Sequence, residues 1–228
     1  MQHLPYEIDE QSDRFHYYET LWKRRGLELL LKHCKPSGKV LLDYGCGRGE
    51  VLELARQAGF QVLGADVDPT CVELASRFGP ARQLNSTDPL AQFGAKSFDV
   101  VACFHVLEHV ENPKQVLKAL GKISREYVVL AVPNLRYLHH TFERKFDLHE
   151  VNAGHLQSWD HWHLLNLAER HCGLKLVEWG TDATILPFSN IAARLLGMKT
   201  LIKLETGLFR KLFPFHGVSI LGLFKPIA

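Results

Sequence analysis

Short apolar runs alternate along the middle of the chain with stretches whose apolar positions recur at helical spacing. The pattern predicts strands near residues 39–44, 60–65, 81–84, 98–104, 125–132, 174–180 and 217–224, and helices near 13–33, 49–58, 69–78, 113–122 and 158–172. Val51, Leu52, Leu54, Ala55 and Ala58 form the apolar stripe of the second helix, and Gly59 stops it. Asp68-Pro69 and Asn112-Pro113 each set a capping side chain ahead of a proline at the first helical position. Seven strands with intervening helices predict an α/β fold built on a doubly wound, mostly parallel sheet.

With 228 residues, 46% of them hydrophobic, the chain supports one substantial core. A single domain is expected: an N-terminal helical cap over 1–36, a ligand-binding core over 37–133, and a second half over 134–228 that carries a helical insertion at about 188–213. Its 27 basic and 25 acidic residues, net charge +2, leave no general electrostatic footprint for nucleic acid. The polar, acidic start and the lack of a membrane-length apolar run predict a cytoplasmic protein. Cys34, Cys46, Cys71, Cys103 and Cys172 are scattered, which suggests neither a disulfide framework nor a zinc pair.

The chemistry is concentrated where the first strand ends. Val40 to Gly49 reads as a buried strand running into a turn that holds Gly45, Gly47 and Gly49, with Asp43 just ahead of it. Such a turn lets backbone approach a nucleotide-like ligand at a strand's carboxyl end. A pyrophosphate prefers bare N–H groups there, and a carboxylate would repel it. A cationic ligand would be attracted, and S-adenosylmethionine, with a sulfonium and an α-ammonium but no phosphate, suits Asp43 better than NAD does. Asp66, at the tip of the second strand, is placed to hold both ribose hydroxyls of an adenosine in either ligand.

Leu42-Asp43-Tyr44-Gly45-Cys46-Gly47-Arg48-Gly49, Gly64-Ala65-Asp66-Val67-Asp68-Pro69, Ser97 to Val101 and His105 to Val110 together resemble the class I S-adenosylmethionine-dependent methyltransferases from about Lys39 to Pro133. The resemblance implies strand order 3-2-1-4-5-7-6 and a cofactor site that uses Asp43, Gly45, Cys46, Gly47, Asp66, Val67, Thr87, Asp88, Phe104 and His105. Two departures stand out: Tyr44 where an aliphatic residue is usual, and Asn85-Ser86-Thr87-Asp88 where the family has an acidic Gly-Asp-Ala segment. The nucleic-acid methylase motif after the fourth strand is replaced here by Cys103-Phe104-His105-Val106.

Methyl transfer to a small-molecule, sugar- or lipid-linked acceptor, most readily at oxygen, is the expected activity. An NAD-dependent oxidoreductase and a non-catalytic, membrane-associated S-adenosylmethionine-binding module are the alternatives. His109 and His155 are the candidate general bases, since an imidazole can take a hydroxyl proton near neutral pH. His105, Glu108 and His109 resemble a loop that holds a divalent metal in some quinone-biosynthesis O-methyltransferases, with His105 replacing an acid, and no metal is expected here. Pro133, Asn134, Tyr137, His139, His140, His149, Trp159, His161 and His163 are read with His155 as a substrate wall, and Tyr17 and Tyr18 as candidate pocket residues. Between 188 and 213, Ile191, Leu195, Leu201, Ile202, Leu204, Leu208, Phe209, Leu212 and Phe213 interleave with Arg194, Lys199, Lys203, Arg210 and Lys211. That segment reads as a lid or as a surface for peripheral membrane contact.

Overall fold

A computed structural model describes residues 14–85, 88–136, 138, 152–187 and 189–227. Thr87, Tyr137, His139, His140 and His149 lie outside the described residues, as do the side chains of Tyr17 and Tyr18.

The strands are β1 (Val40–Tyr44), β2 (Gln61–Asp66), β3 (Ala81–Gln83), β4 (Phe98–Phe104), β5 (Ser124–Pro133), β6 (Leu174–Thr181) and β7 (Ser219–Pro226). They form one sheet in the order β3-β2-β1-β4-β5-β7-β6, as the resemblance implies. β1 to β5 pair in parallel, and β7 runs antiparallel to both β5 and β6. The helices are α1 (Arg14–Leu31), α2 (Glu50–Ala58), α3 (Pro69–Ala75), α4 (Pro89–Phe93), α5 (Pro113–Ile123), α6 (His161–Leu165), α7 (Ser189–Leu196), α8 (Met198–Lys203) and α9 (Phe209–Leu212).

Side-chain alternation along the strands feeds two cores. Val100, Ala102 and Phe104 of β4, with Tyr127, Val129 and Ala131 of β5, face Leu27 and Leu30 of α1 and Val51 and Ala55 of α2. Val101 and Cys103, with Val128, Leu130 and Val132, face Leu117 and Leu120 of α5 and Leu164 of α6. Because helices cover both faces, the central strands are apolar almost throughout rather than alternating with polar residues. Asp99, at the start of β4, accepts a 2.8 Å bond from the Val40 amide and meets Arg125 at 3.1 Å, tying three strands at the edge away from the ligand end.

The predicted caps form. Asp68 accepts from the Thr70 amide at 2.8 Å and Asn112 from that of Gln115 at 3.1 Å. Asp88-Pro89 repeats the device, accepting from Leu90 at 3.0 Å, and starts α4, which apolar periodicity did not predict. The helix predicted over 158–172 starts later, where Asp160 caps α6 through the His163 amide, and it continues as a π-helical turn over Asn166–His171. The last strand also starts later than predicted. Asn134 takes the Phe215 and Gly217 carbonyls at 3.1 and 2.7 Å, which holds the preceding turn away from the ladder.

The helical insertion folds as α7, α8, a π-helical turn (Leu204–Leu208) and α9. Ile202 anchors it against Leu21 of α1 and Ala183 beyond β6. Glu205 is fully buried; its carboxylate and carbonyl accept from the Leu186 and Thr184 amides, both at 3.1 Å.

His161, at the start of α6, sits between the rings of Trp179 (5.3 Å) and Phe215 (5.1 Å), 5% exposed, with no partner for either ring nitrogen. Burial drives its pKa down from 6.5 to about 4. Between those values the unfolded chain binds the extra proton, so the stability His161 contributes is present above 6.5 and is lost as pH falls through 4. His161→Phe should therefore flatten the acid-side loss by up to about 3 kcal/mol. Urea unfolding of both proteins between pH 7 and 4 checks this, and parallel acid profiles would refute it.

Candidate functional site

In an open α/β sheet the ligand lies beyond the carboxyl ends of the strands where strand order reverses, here between β1 and β4. The turn leaving β1 is suspended from β2. The Gly45 and Cys46 amides donate to the Ala65 carbonyl at 2.7 and 3.0 Å, and the Gly47 amide to Asp66 Oδ2 at 2.8 Å. Asp66 Oδ1 accepts from the Asp68 amide at 3.0 Å. Gly45 has φ +78°, and a Cβ there would lie 2.2 Å from Val106 Cγ2; a Cβ on Gly47 would meet only open space. The turn is thus packed on one side and open to a ligand on the other.

Two cavities flank it. A cavity of about 260 Å³ is lined by Trp22, Lys23, Asp43, Gly45, Cys46, Gly47, Arg48, Glu50, Val51, Phe104 and His105. One of about 600 Å³ is lined by Tyr44, Val67, Leu84, Asn85, Val110, Glu111, Asn112, Gln115 and Val116. Of the expected cofactor residues, the first gathers Asp43, Gly45, Cys46, Gly47, Phe104 and His105, and the second takes Val67. Asp66 stands behind the glycine turn, while Asp88 caps α4 and lines neither cavity.

Asp43 is 1% exposed, and its Oδ2 has no hydrogen-bond partner. Burial raises its pKa to about 7; Lys23 pulls it down, and Asp66 and Glu50 push it up. A buried carboxylate lacking a donor fits a ligand that brings cationic N–H groups, as S-adenosylmethionine does. Trp22 and Lys23 of α1 close this cavity, Lys23 held to Glu50 at 3.2 Å. The N-terminal helix was expected as a cap over this cleft, with Tyr17 and Tyr18 as its pocket residues; Trp22 and Lys23 are the residues of it that line the cavity.

Beyond β4 the chain turns through His105, which takes φ +54°, a strained value for a non-glycine residue. Its ring stacks on Trp22 at 4.2 Å, its Nε2 lies 3.2 Å from Ser219 Oγ, and its Nδ1 is 3.3 Å from Glu108 Oε1. Glu108 is fully buried, and both its oxygens lack an aligned hydrogen bond. The Glu108 carbonyl accepts from the Leu156 and Gln157 amides at 2.7 and 3.1 Å, docking the 152–157 segment beside the turn. That brings His155 edge-on to His109 at 4.8 Å, and ligand atoms of Glu108, His109 and His155 lie within 4.8 Å of one another. The three can share a proton or hold a divalent cation.

His109 Nδ1 lies 2.9 Å from the Gly154 carbonyl, which can only accept, so the neutral ring carries its proton on Nδ1 and its lone pair on Nε2. Any side chain on residue 154 would place Cβ 3.0 Å from that Nδ1. Burial lowers the pKa of His155, with Glu108 opposing and His109 and His105 reinforcing the shift. The remaining described residues of the expected wall serve the fold: Asn134 holds backbone carbonyls, His161 fills its aromatic box, and His163 bonds Asp160 at 2.8 Å.

The family model described as a methyltransferase domain matches residues 14–178. The ubiquinone biosynthesis O-methyltransferase of Azoarcus sp. (strain BH72) is 34% identical over 99 residues, 41% of this chain and 42% of the relative. That of Idiomarina loihiensis is 37% identical over 91 residues, 37% of each. The chain thus spans less than half the length of these relatives. The magnesium protoporphyrin IX methyltransferase of Synechocystis PCC 6803, crystallised with S-adenosylhomocysteine, superposes with TM-score 0.63 at 17% identity over 96% of this chain and 90% of its own. A methyltransferase of Archaeoglobus fulgidus gives 0.61 at 20% identity over 93% and 100%. With the family model covering most of the chain and the strand order and glycine turn in agreement, this protein belongs to the class I S-adenosylmethionine-dependent methyltransferases.

Proposed function

We propose that the chain methylates an oxygen of a small acceptor, free or carried on a sugar or lipid, with His109 as general base and His155 as its partner. The observation that carries this reading is the cluster of two imidazoles around the buried carboxylate of Glu108, which lacks an aligned hydrogen bond, just beyond the carboxyl end of β4. The O-methyltransferase activity in the names of the curated relatives supports it. A lipid-linked acceptor further requires contact with a membrane surface, for which 188–213 is the candidate segment.

S-adenosylmethionine supplies a methyl group on a sulfonium, already a good leaving group. What remains for the protein is to hold donor and acceptor in line and to take up a proton. The Asp43 carboxylate offers the donor's cationic end an anionic acceptor. Val67, Tyr44 and Asn85 border space for its adenosine, and Asp66 keeps the glycine turn in place. The lone pair on His109 Nε2 receives the hydroxyl proton, and Glu108 stabilises the imidazolium that forms. His155, whose pKa burial lowers, passes that proton outward.

An acceptor screen with methyl-labelled cofactor should give an O-methylated product. On that acceptor, His109→Asn should lower kcat by about 10² to 10⁴. The loss should shrink as pH approaches the acceptor's own pKa, while S-adenosylhomocysteine affinity is unchanged. Gly154→Ala should mimic it more weakly by displacing the ring. An unchanged kcat in His109→Asn would remove the base role.

The cofactor assignment is tested by calorimetry with S-adenosylhomocysteine, using NAD as the control ligand. If only ionised Asp43 binds the ligand's ammonium, a pKa of about 7 makes the affinity tighten about tenfold from pH 6 to 8. Asp43→Asn should abolish that slope, and Asp66→Ala should weaken binding throughout. Equal binding of NAD, or the same slope in Asp43→Asn, contradicts the assignment.

A further inference from the structure

The insertion between β6 and β7 exposes large apolar side chains that the fold does not use. In α7 and the start of α8, Ile191, Leu195, Leu196 and Met198 are exposed, Leu195 to 79%. From the π-helical turn to the end of α9 and just beyond it, Leu208, Leu212, Phe213 and Phe215 are exposed as well. Ile191 and Leu195, and likewise Leu208 and Leu212, are four residues apart, so each pair lies along one helix face. Single exposed leucines need no explanation, whereas a dense set within one short segment does.

The charges around them have one sign. Arg194, Lys199, Lys203 and Lys211 are exposed, Arg210 is half-buried, and the segment's one acid, Glu205, is fully buried against the Thr184 and Leu186 amides. The solvent-facing part of the insertion therefore carries cations with no acid of its own. Phe215 extends this apolar surface beyond the insertion. Its ring lies 6.4 Å from that of Trp162, which is 60% exposed and carries the Arg136 guanidinium 5.0 Å above it. An exposed tryptophan under an arginine suits the headgroup level of a bilayer, where an apolar ring and a cation are both accommodated. Leu156, 58% exposed, follows His155 directly and donates its amide to the Glu108 carbonyl, so it borders the candidate base cluster.

We propose that this face, from Ile191 to Phe215 together with Trp162 and Arg136, docks on an anionic bilayer surface and brings the cleft to an acceptor carried in the membrane. The charge selects this occupant. A second copy meeting the same face in an isologous dimer would set the cations against their own images, while anionic headgroups complement them as the apolar side chains enter the interface. No described helix is long and apolar enough to cross a membrane, and the proposed contact is through this surface alone. The proposal deepens the lipid-linked reading of the acceptor and rests on it, but its test needs no turnover.

The full chain is floated with vesicles of phosphatidylcholine alone and of three parts phosphatidylcholine to one part phosphatidylglycerol, at low and high salt. Binding to the mixed vesicles should exceed that to the neutral ones by at least about tenfold and fall as salt rises. L195D/L212D, which removes apolar contact, and K203E/K211E, which removes charge, should each lose at least about tenfold. Both pairs should keep wild-type S-adenosylhomocysteine affinity, because none of the four residues lines a cavity. No flotation with mixed vesicles at low salt, or flotation that both variant pairs retain, overturns the proposal. So does self-association abolished by L195D/L212D without vesicle binding, which would assign the face to a second copy. Loss of S-adenosylhomocysteine binding in the wild-type chain would instead strike the methyl-transfer reading and leave the flotation result intact.

Discussion

The constraint from which the ligand end of the molecule follows is the hold of β2 on the turn that leaves β1. Two amides donate to Ala65, and Asp66 spends one carboxylate oxygen on Gly47 and the other on the segment entering α3. Left-handed glycine backbone would otherwise sample many conformations. Pinned in this way, the turn leaves an open face at Gly47 and separates the smaller cavity from the larger. Asp66 thus shapes the site before any ligand arrives, a role independent of the ribose contact expected of it.

The second polar centre is built on a different economy. Glu108 uses its backbone carbonyl to dock the 152–157 segment, while its side chain stays buried without an aligned donor. An unpaired polar group in a low-dielectric setting is costly, and such groups persist where surrounding structure over-determines them. Here the strained His105, held by Trp22 and Ser219, supplies part of that surrounding structure. Three imidazoles gather near this one carboxylate, His105 at 3.3 Å and His109 and His155 within 4.8 Å.

Most of the sheet could be read from the sequence because its signals are local. β4 and β5 carry continuous apolar runs, over residues 100–104 and 127–132, and Asp68-Pro69 and Asn112-Pro113 announce their helices by capping chemistry alone. Helix α4 carried the same signature in Asp88-Pro89 but is too short for a periodic stripe to develop. The glycine turn and both acids near it were legible for a similar reason, since ligand, backbone approach and charge all act within a few residues of one another. What sequence could not supply was long-range convergence. Trp22 of α1 stacks on His105 beyond β4, and Gly154 approaches His109 across a separation of 45 residues. The Asn134 side chain, read as part of a substrate wall, spans 83 residues to hold the Gly217 carbonyl. Nothing in composition or periodicity encodes such contacts.

The raised pKa of Asp43 couples ligand capture to protons. With its pKa raised to about 7 by burial, this carboxyl carries a proton in part of the unliganded population at neutral pH. A cation seated against it drives that proton into the solvent, so uptake of the ligand is also a release of acid. The observed enthalpy then contains the protonation heat of whichever buffer receives the proton, and its dependence on buffer identity counts the net protons released on binding.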